Sequence, residues 1–285
     1  MAAPTLDAAG HVVTRDGVAL FHRDWGDRDR APVVFLASWS LASDSWAYQM
    51  MAMRAAGLRP VAYDRRAHGR SADPGRGFDF DTLADDLADL LEALDLRDAT
   101  LVTFSAGAGE AVRYLTHHGT ARASRLALVA PTTPLLARTE GNPDGVDPAV
   151  FDAFARDELL RDWPRWLEEN GRAFAGPDVS EPMLAWVKGM ALRPSLLALA
   201  EFHRALTRTD FRAELPCLRL PVLVVQGDRD ATCPLPLTGE RTAALVPGAQ
   251  LLVYEGAPHG LFVSHAERLN ADLLAFAGGG LSPKT

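Results

Sequence analysis

Short, continuous apolar runs separated by longer amphipathic stretches leave a chain few ways to fold. A run of strand length with no polar alternation must be covered on both faces, and a parallel sheet flanked by helices is the common way to do this. Pro32–Ala37 (PVVFLA), Arg59–Tyr63, Ala99–Phe104 and Arg125–Ala130 read as such strands, and Val18–Trp25 as an alternating one. Between them Ser43–Ala56, Asp81–Leu94 and Gly107–His117 read as helices. The second places Leu83, Leu87, Leu90, Leu91 and Leu94 at helical spacing against an acidic opposite face. Strand–helix alternation of this kind predicts an α/β fold with a mostly parallel sheet and helices on both faces.

The rhythm breaks after Pro131. From there to about Leu215 the segments look helical, carry Trp163, Trp166 and Trp186, and are interrupted by proline and glycine. Alternation resumes with a strand at Pro221–Gln226, a helix at Leu235–Val246, a strand at Gln250–Tyr254 and a closing helix at Ala266–Phe276. The pattern predicts a discontinuous core, residues 1–130 and 216–285, with a helical cap inserted at 131–215. A chain of 285 residues is long enough to bury such a core without staples.

Thirty-seven acidic against 29 basic residues leave a formal charge of −8, a poor match to a nucleic-acid backbone or an anionic membrane. Cys217 and Cys233 cannot build a disulfide framework and have no metal-ligand spacing. Met1–His11 has neither a basic region nor a long apolar run, and the longest apolar stretches are too short to span a bilayer. These features predict a soluble, cytoplasmic globular protein.

The strand at Ala99–Phe104 runs directly into Ser105-Ala106-Gly107 and then a helix. A serine at a sharp strand-to-helix turn presents its hydroxyl above the strand ends, beside the amides of the helix N-terminus. Serine is also an ordinary helix N-cap, so chemistry at Ser105 requires a base and a carboxylate placed to serve it. Of eight histidines, His259 lies on the loop after Gln250–Tyr254, at the carboxyl edge of the sheet. His68 reads as part of a structural turn. His11, His22, His117, His118, His203 and His265 fall in strands or on helix faces and read as surface residues. Asp228 and Asp230 follow the strand at Pro221–Gln226, and either suits the acid or a turn cap. The order serine, acid, histidine matches one hydrolase fold. An oxyanion hole would take one donor from the Ala106 amide and another from the loop Ala37-Ser38-Trp39-Ser40.

With these residues in place the chain resembles the α/β-hydrolase superfamily, and within it the cofactor-free haloperoxidase, perhydrolase and arylesterase branch, from about Val12 to Phe276. The resemblance rests on Val13-Thr14-Arg15-Asp16-Gly17 with Asp24-Trp25-Gly26, on Trp46 with Tyr48-Gln49-Met50, and on Tyr63-Asp64-Arg65-Arg66. It also rests on Gly109-Glu110-Ala111-Val112-Arg113-Tyr114, Gly119-Thr120-Ala121-Arg122, Thr209-Asp210-Phe211-Arg212 and Gly256-Ala257-Pro258-His259-Gly260-Leu261. It implies Ser105 as nucleophile, His259 as base, Asp230 rather than Asp228 as acid, and the Trp39 and Ala106 amides as oxyanion donors. It departs at the site: Ala37-Ser38-Trp39 stands where the branch reads H-G-W, Ser40 where many members have proline, and Thr103-Phe104-Ser105-Ala106-Gly107 where it reads G-F-S-M-G. Ala106 in place of methionine leaves more room beside the acyl pocket.

The expected function is hydrolysis of a small hydrophobic ester or lactone through an acyl-enzyme, without cofactor or metal. Phe104 and Ser38, beside the nucleophile and the oxyanion residue, are expected to touch substrate. Trp163, Trp166, Trp186, Met183 and Met190 are candidates for an apolar pocket wall. The alternatives are weak perhydrolase or haloperoxidase activity, a non-hydrolytic reaction using the histidine–acid pair (cyclisation, lyase or cofactor-free oxygenase chemistry), or a ligand-binding protein with little turnover. Homo-oligomer or monomer is open at this level.

Overall fold

The computed structural model describes residues 3–280. Three short antiparallel strands open the chain: β1 (Thr5–Leu6), β2 (Val12–Val13) and β3 (Ala19–Leu20). The main sheet follows, with β4 (His22–Asp24), β5 (Pro32–Leu36), β6 (Arg59–Tyr63), β7 (Ala99–Phe104), β8 (Ala123–Val129), β9 (Val222–Gly227) and β10 (Gln250–Tyr254). Its order is β10-β9-β8-β7-β5-β6-β4, parallel throughout except for the antiparallel edge strand β4.

The buried strands have the two-residue period of a pleated sheet, with a different core on each side. Val34, Leu36, Leu101, Leu126 and Val224 pack on one face with α2 (Phe80–Ala93) and α3 (Gly107–His117). Val33, Phe35, Val102, Phe104, Ala127 and Val225 pack on the other, against Met50 and Met53 of α1 (Ala47–Ala55) and residues of the C-terminal helix. Asp79 caps α2 by accepting a hydrogen bond from the Thr82 amide, which satisfies one of the free donors at that helix end.

Two expected elements take a different form. Val18–Trp25 is not one strand: Ala19–Leu20 pairs with β2 and His22–Asp24 with β6, while the Phe21 amide between them donates to Ser71 Oγ. The helix expected over Leu235–Val246 begins only at Gly239. Residues 234–238 form turns closed by Leu237 and Thr238 amides on the Pro234 carbonyl.

Between β8 and β9 the chain forms α4 (Pro148–Phe154), α5 (Leu160–Ala175), α6 (Glu181–Ala191) and α7 (Leu196–Arg208). A π-helical turn at Ala155–Leu159 joins the first two, and α5 is broken at Asp162, two residues before Pro164. Ser180 and Ser195 cap α6 and α7. After β9 come α8 (Gly239–Leu245), α9 (Leu261–Ser264) and α10 (Ala266–Ala277). Among the described residues no single helix is long and apolar enough to cross a membrane.

The strand order reverses between β5 and β7, and the crevice beyond their carboxyl ends is where open α/β sheets bind ligands. The loop carrying Trp39 leaves β5 and the turn carrying Ser105 leaves β7, so both flank that crevice.

Candidate active site

Ser105 ends β7 with φ of 54°, a left-handed conformation that a non-glycine residue adopts at a cost of about 1–3 kcal/mol. Its amide still donates to the Val129 carbonyl of β8 (2.9 Å), so the turn begins without leaving the sheet. Gly107 explains why a small residue is needed two positions on. A Cβ there would lie 3.0 Å from the carbonyl oxygens of both Leu36 and Ala37, because α3 starts hard against the end of β5.

Asp230 and His259 meet after β9 and β10. His259 Nδ1–H donates to Asp230 Oδ2 at 2.7 Å, and the ring is 2% exposed. The carboxylate takes three more donors: the amides of Thr232 (3.0 Å) and Cys233 (2.7 Å) on Oδ1, and Gln226 Nε2 (3.2 Å) on Oδ2. Four donors hold the carboxylate in one orientation, and the carboxylate fixes the imidazole tautomer, leaving the Nε2 lone pair free. Asp228 points elsewhere and accepts from the Gly256 amide at 2.7 Å, which makes it the turn cap of the two. Close approach of the two loops is possible because residue 227 is glycine; a Cβ there would run into the Ala257 carbonyl.

The neighbours of Ser105 pack against the same pair. The Phe104 ring packs on the His259 ring with centroids 5.0 Å apart, and Phe174 of α5 closes the other side at 5.5 Å. The Gly260 amide donates to the Phe174 carbonyl (2.8 Å), which ties α5 to the histidine loop. Cys233, bonded through its amide to Asp230, lies beside the Ser105 hydroxyl. Burial and then the Asp230 charge push its thiol well above the usual range, with Ser105 pulling the other way.

The amides of Trp39 and Ala106 find no acceptor among the described residues. Ala106 is fully buried, and a buried amide without a partner is rare enough to need a reason. The Trp39 side chain points to the helical segment. Its indole N–H donates to the Leu199 carbonyl of α7 (2.9 Å), and its ring meets Trp163 (5.3 Å), His203 (5.5 Å) and Phe154 (6.1 Å).

The remaining expected residues are spread more widely. Trp163 is buried, donates to the Ala191 carbonyl and stacks on Trp166 at 5.2 Å, so this pair joins the aromatic group around Trp39. Trp186 lies apart from it, edge-on to the exposed Tyr48. Met190 is buried in the core of the face that carries Phe104, and Met183 is partly exposed near the start of α6. Ser38 is buried and its carbonyl accepts from Arg65 Nη1 (3.1 Å).

The expectation that His203 is a surface residue is wrong. It faces inward from α7, 8% exposed, between the rings of Trp39, Phe151 and Phe154, and burial lowers its pKa to about 4.

Sequence reasoning also missed the polar layer beneath the site. Arg65 and Glu110 form a buried pair at 2.7 Å. Burial pushes the guanidinium down to about 9, with the Asp86 charge opposing it, and pushes the carboxyl well up. His68 contacts the carbonyls of Arg66 (2.9 Å) and Trp39 (2.6 Å). Burial, then the Arg65 charge, hold its pKa down at about 4. Arg65 and Glu110 belong to motifs quoted above, but a pairing across 45 positions leaves no local signal.

A strand-ended serine in a left-handed turn, a buried histidine–aspartate pair and two free amides over the switch point of a parallel sheet define a class, and the sequence comparison agrees. Residues 33–272 match the alpha/beta hydrolase family, and the chain belongs to it. Within the family it falls in the non-heme haloperoxidase-like branch. It is 40% identical to the non-heme chloroperoxidase CPO-A1 of Kitasatospora aureofaciens over 269 residues, covering 92% of this chain and 97% of the relative. It is 36% identical to the bifunctional esterase/perhydrolase DCH of Acinetobacter calcoaceticus, covering 94% and 99%. Among solved structures, an esterase from Exiguobacterium antarcticum superposes with a TM-score of 0.90 at 28% identity, covering 98% of this chain and all of that one. The chain is an enzyme of the α/β hydrolase class.

Proposed function

We propose that the protein is a serine hydrolase that cleaves a small hydrophobic carboxylic ester or lactone through an acyl-enzyme. The contact between His259 Nδ1 and Asp230 Oδ2 carries this reading, because it leaves the imidazole with an Nε2 lone pair directed away from its carboxylate, as a general base for Ser105 requires. In the reaction His259 Nε2 takes the Ser105 proton as Oγ attacks the substrate carbonyl, and Asp230 stabilises the imidazolium. The oxyanion of the tetrahedral intermediate is received by the Trp39 and Ala106 amides, which have no partner to give up. The imidazolium then protonates the leaving alkoxide, and His259 activates a water that opens the acyl-enzyme.

In this reading residues 1–130 and 216–285 are the catalytic core and 131–215 a cap. The aromatic group of Trp163, Trp166 and Phe154 beside Trp39 supplies apolar wall on one side, and Phe104 and Phe174 on the other. A wall with so few charges suits an uncharged acyl or alcohol group. Relatives named for perhydrolase and chloroperoxidase activity support a second outcome at the same site: hydrogen peroxide in place of water attacks the acyl-enzyme and releases a peracid.

A fluorophosphonate probe followed by peptide mass spectrometry, run beside a panel of p-nitrophenyl esters, tests the reading. Labelling at Ser105, with ester turnover abolished in Ser105→Ala, is expected. An unlabelled Ser105 and no turnover of any ester would overturn it.

A further inference from the structure

The loop that carries the Trp39 amide is held from behind by two buried side chains from one turn. Arg65 Nη2 donates to the Ala37 carbonyl (3.0 Å) and Nη1 to the Ser38 carbonyl (3.1 Å), while His68 Nε2 contacts the Trp39 carbonyl (2.6 Å). With the one proton of the neutral His68 ring assigned to Nε2, the nitrogen of its shorter carbonyl contact, three consecutive carbonyls are drawn to one side. In a trans peptide the C=O of one residue and the N–H of the next point in opposite directions. Fixing the Ser38 carbonyl therefore fixes the Trp39 N–H, aimed away from the guanidinium. Fixing the Trp39 carbonyl sets the next peptide plane, so both planes that meet at Trp39 are pinned.

Arg65 also reaches the other half of the pair. Its Nε (3.0 Å) and Nη2 (2.7 Å) donate to Glu110 Oε2, and Glu110 sits on α3 one helical turn beyond Ala106. A single planar guanidinium thus spans the loop after β5 and the helix after β7, and a rigid fork transmits position between them as a flexible ammonium would not. The turn that carries His68 is built to bring its ring under the loop. Ala67 (φ 60°) and Gly69 (φ 53°) on either side of it are both left-handed, and a non-glycine residue is held there at a cost.

We infer that Arg65 and His68 are positioning residues that set the direction of the Trp39 oxyanion donor, with Arg65 coupling it to the Ala106 donor through Glu110. The inference rests on the reading above that these two amides receive the oxyanion. It implies that the pair acts on the tetrahedral intermediate and leaves the planar ester's binding alone, because only the former places full charge on the amides.

The test compares the parent with Arg65→Lys, His68→Leu and His68→Gln. The readouts are kcat and KM on one p-nitrophenyl ester, affinity for an alkyl boronic acid that becomes tetrahedral on Ser105, and melting temperature. Loss of a whole oxyanion donor typically costs about 100- to 1,000-fold in turnover, so misdirecting one is expected to cost about 10- to 100-fold. Arg65→Lys and His68→Leu should lose that much in kcat and a similar factor in boronate affinity, with KM near the parent's. His68→Gln, which keeps an N–H near the place of Nε2, should recover most of it. If one variant does not fold, the other carries the test.

Unchanged boronate affinity in a folded variant would overturn the inference. So would losses in which kcat, corrected for folded protein, stays at the parent's value, or a His68→Gln no better than His68→Leu. A parent that binds no boronate and takes no fluorophosphonate at Ser105 overturns the hydrolase reading itself, and the inference with it. A parent that does both, with insensitive variants, overturns only the inference.

Discussion

At the scale of single residues, the environment of each titratable group assigns its task. Asp230 has four donors and faces His259, whereas Asp228, two positions earlier, holds only the Gly256 amide. Asp230→Asn should lower kcat by a factor of roughly ten thousand, as expected when a catalytic histidine is left in the wrong tautomer, while Asp228→Asn stays close to the parent. The reverse ranking in steady-state ester kinetics would reassign the acid. His203 gives a prediction with a definite sign. Burial lowers its pKa to about 4 in the folded protein, against about 6.5 in the unfolded chain. The unfolded state therefore binds the extra proton between these values, and the His203 contribution to stability is lost as pH falls from 6.5 towards 4. His203→Phe removes that term: between pH 7 and pH 5 the parent should lose about 2 kcal/mol more stability than the variant in urea unfolding. Equal losses would mean that His203 titrates in the folded protein as it does in the unfolded chain.

At the scale of elements, the residues that could be read from sequence are those whose surroundings are uniform. The strands at Arg59–Tyr63, Ala99–Phe104 and Gln250–Tyr254 and the helix at Gly107–His117 have the limits expected of them, because each is bounded by a turn or a change of period. Val18–Trp25 misled because its two halves pair with different sheets, a tertiary choice that alternation cannot express. Ser105, Asp230 and His259 were legible as candidates, because each follows a strand end, where the fold itself gathers residues, and of the three Asp230 and His259 are in contact. The Arg65–Glu110 pair, the His68 contact with Trp39 and the burial of His203 were not, since each depends on contacts between residues far apart in sequence.

Two junctions between elements yield predictions. Gly107→Ala places a methyl against the Leu36 and Ala37 carbonyls, and should cost about 1–3 kcal/mol of stability together with much of the activity, because the strain falls on the elbow and the oxyanion loop at once. A variant with parent-like urea midpoint and kcat would show that α3 has room to retreat. Arg66 and Asp86 join the turn after β6 to α2, with side chains 1% and 2% exposed. Asp86→Ala should destabilise the fold by about 3–5 kcal/mol, since a buried guanidinium is left with the part-exposed Asp16 as its remaining carboxylate and a long contact to the Arg76 carbonyl. A loss under 1 kcal/mol would contradict that account of the junction.

At the scale of the whole molecule, the two cores on either face of the sheet and the helical segment between β8 and β9 differ in how firmly they are held. The central strands β5, β7, β8 and β9 are buried, with one core on each face. Helix α4 buries no residue, and the chain after it passes through a π turn and the break at Asp162. Hydrogen exchange should be slowest in the central strands and fastest, among helices, over residues 148–162, where fewest residues are buried and the helix is irregular. Uniform protection would contradict this division.

The proposed reaction passes through acylation of Ser105. Mixing the enzyme with a p-nitrophenyl ester, quenching in acid within the first turnovers and measuring the mass of each peptide tests it most directly. The account predicts a burst of p-nitrophenol approaching one equivalent and an acyl group on Ser105, with the burst absent in Ser105→Ala and the acyl group more persistent in Asp230→Asn. Turnover that proceeds with no acyl adduct, or an adduct on another side chain, would contradict it.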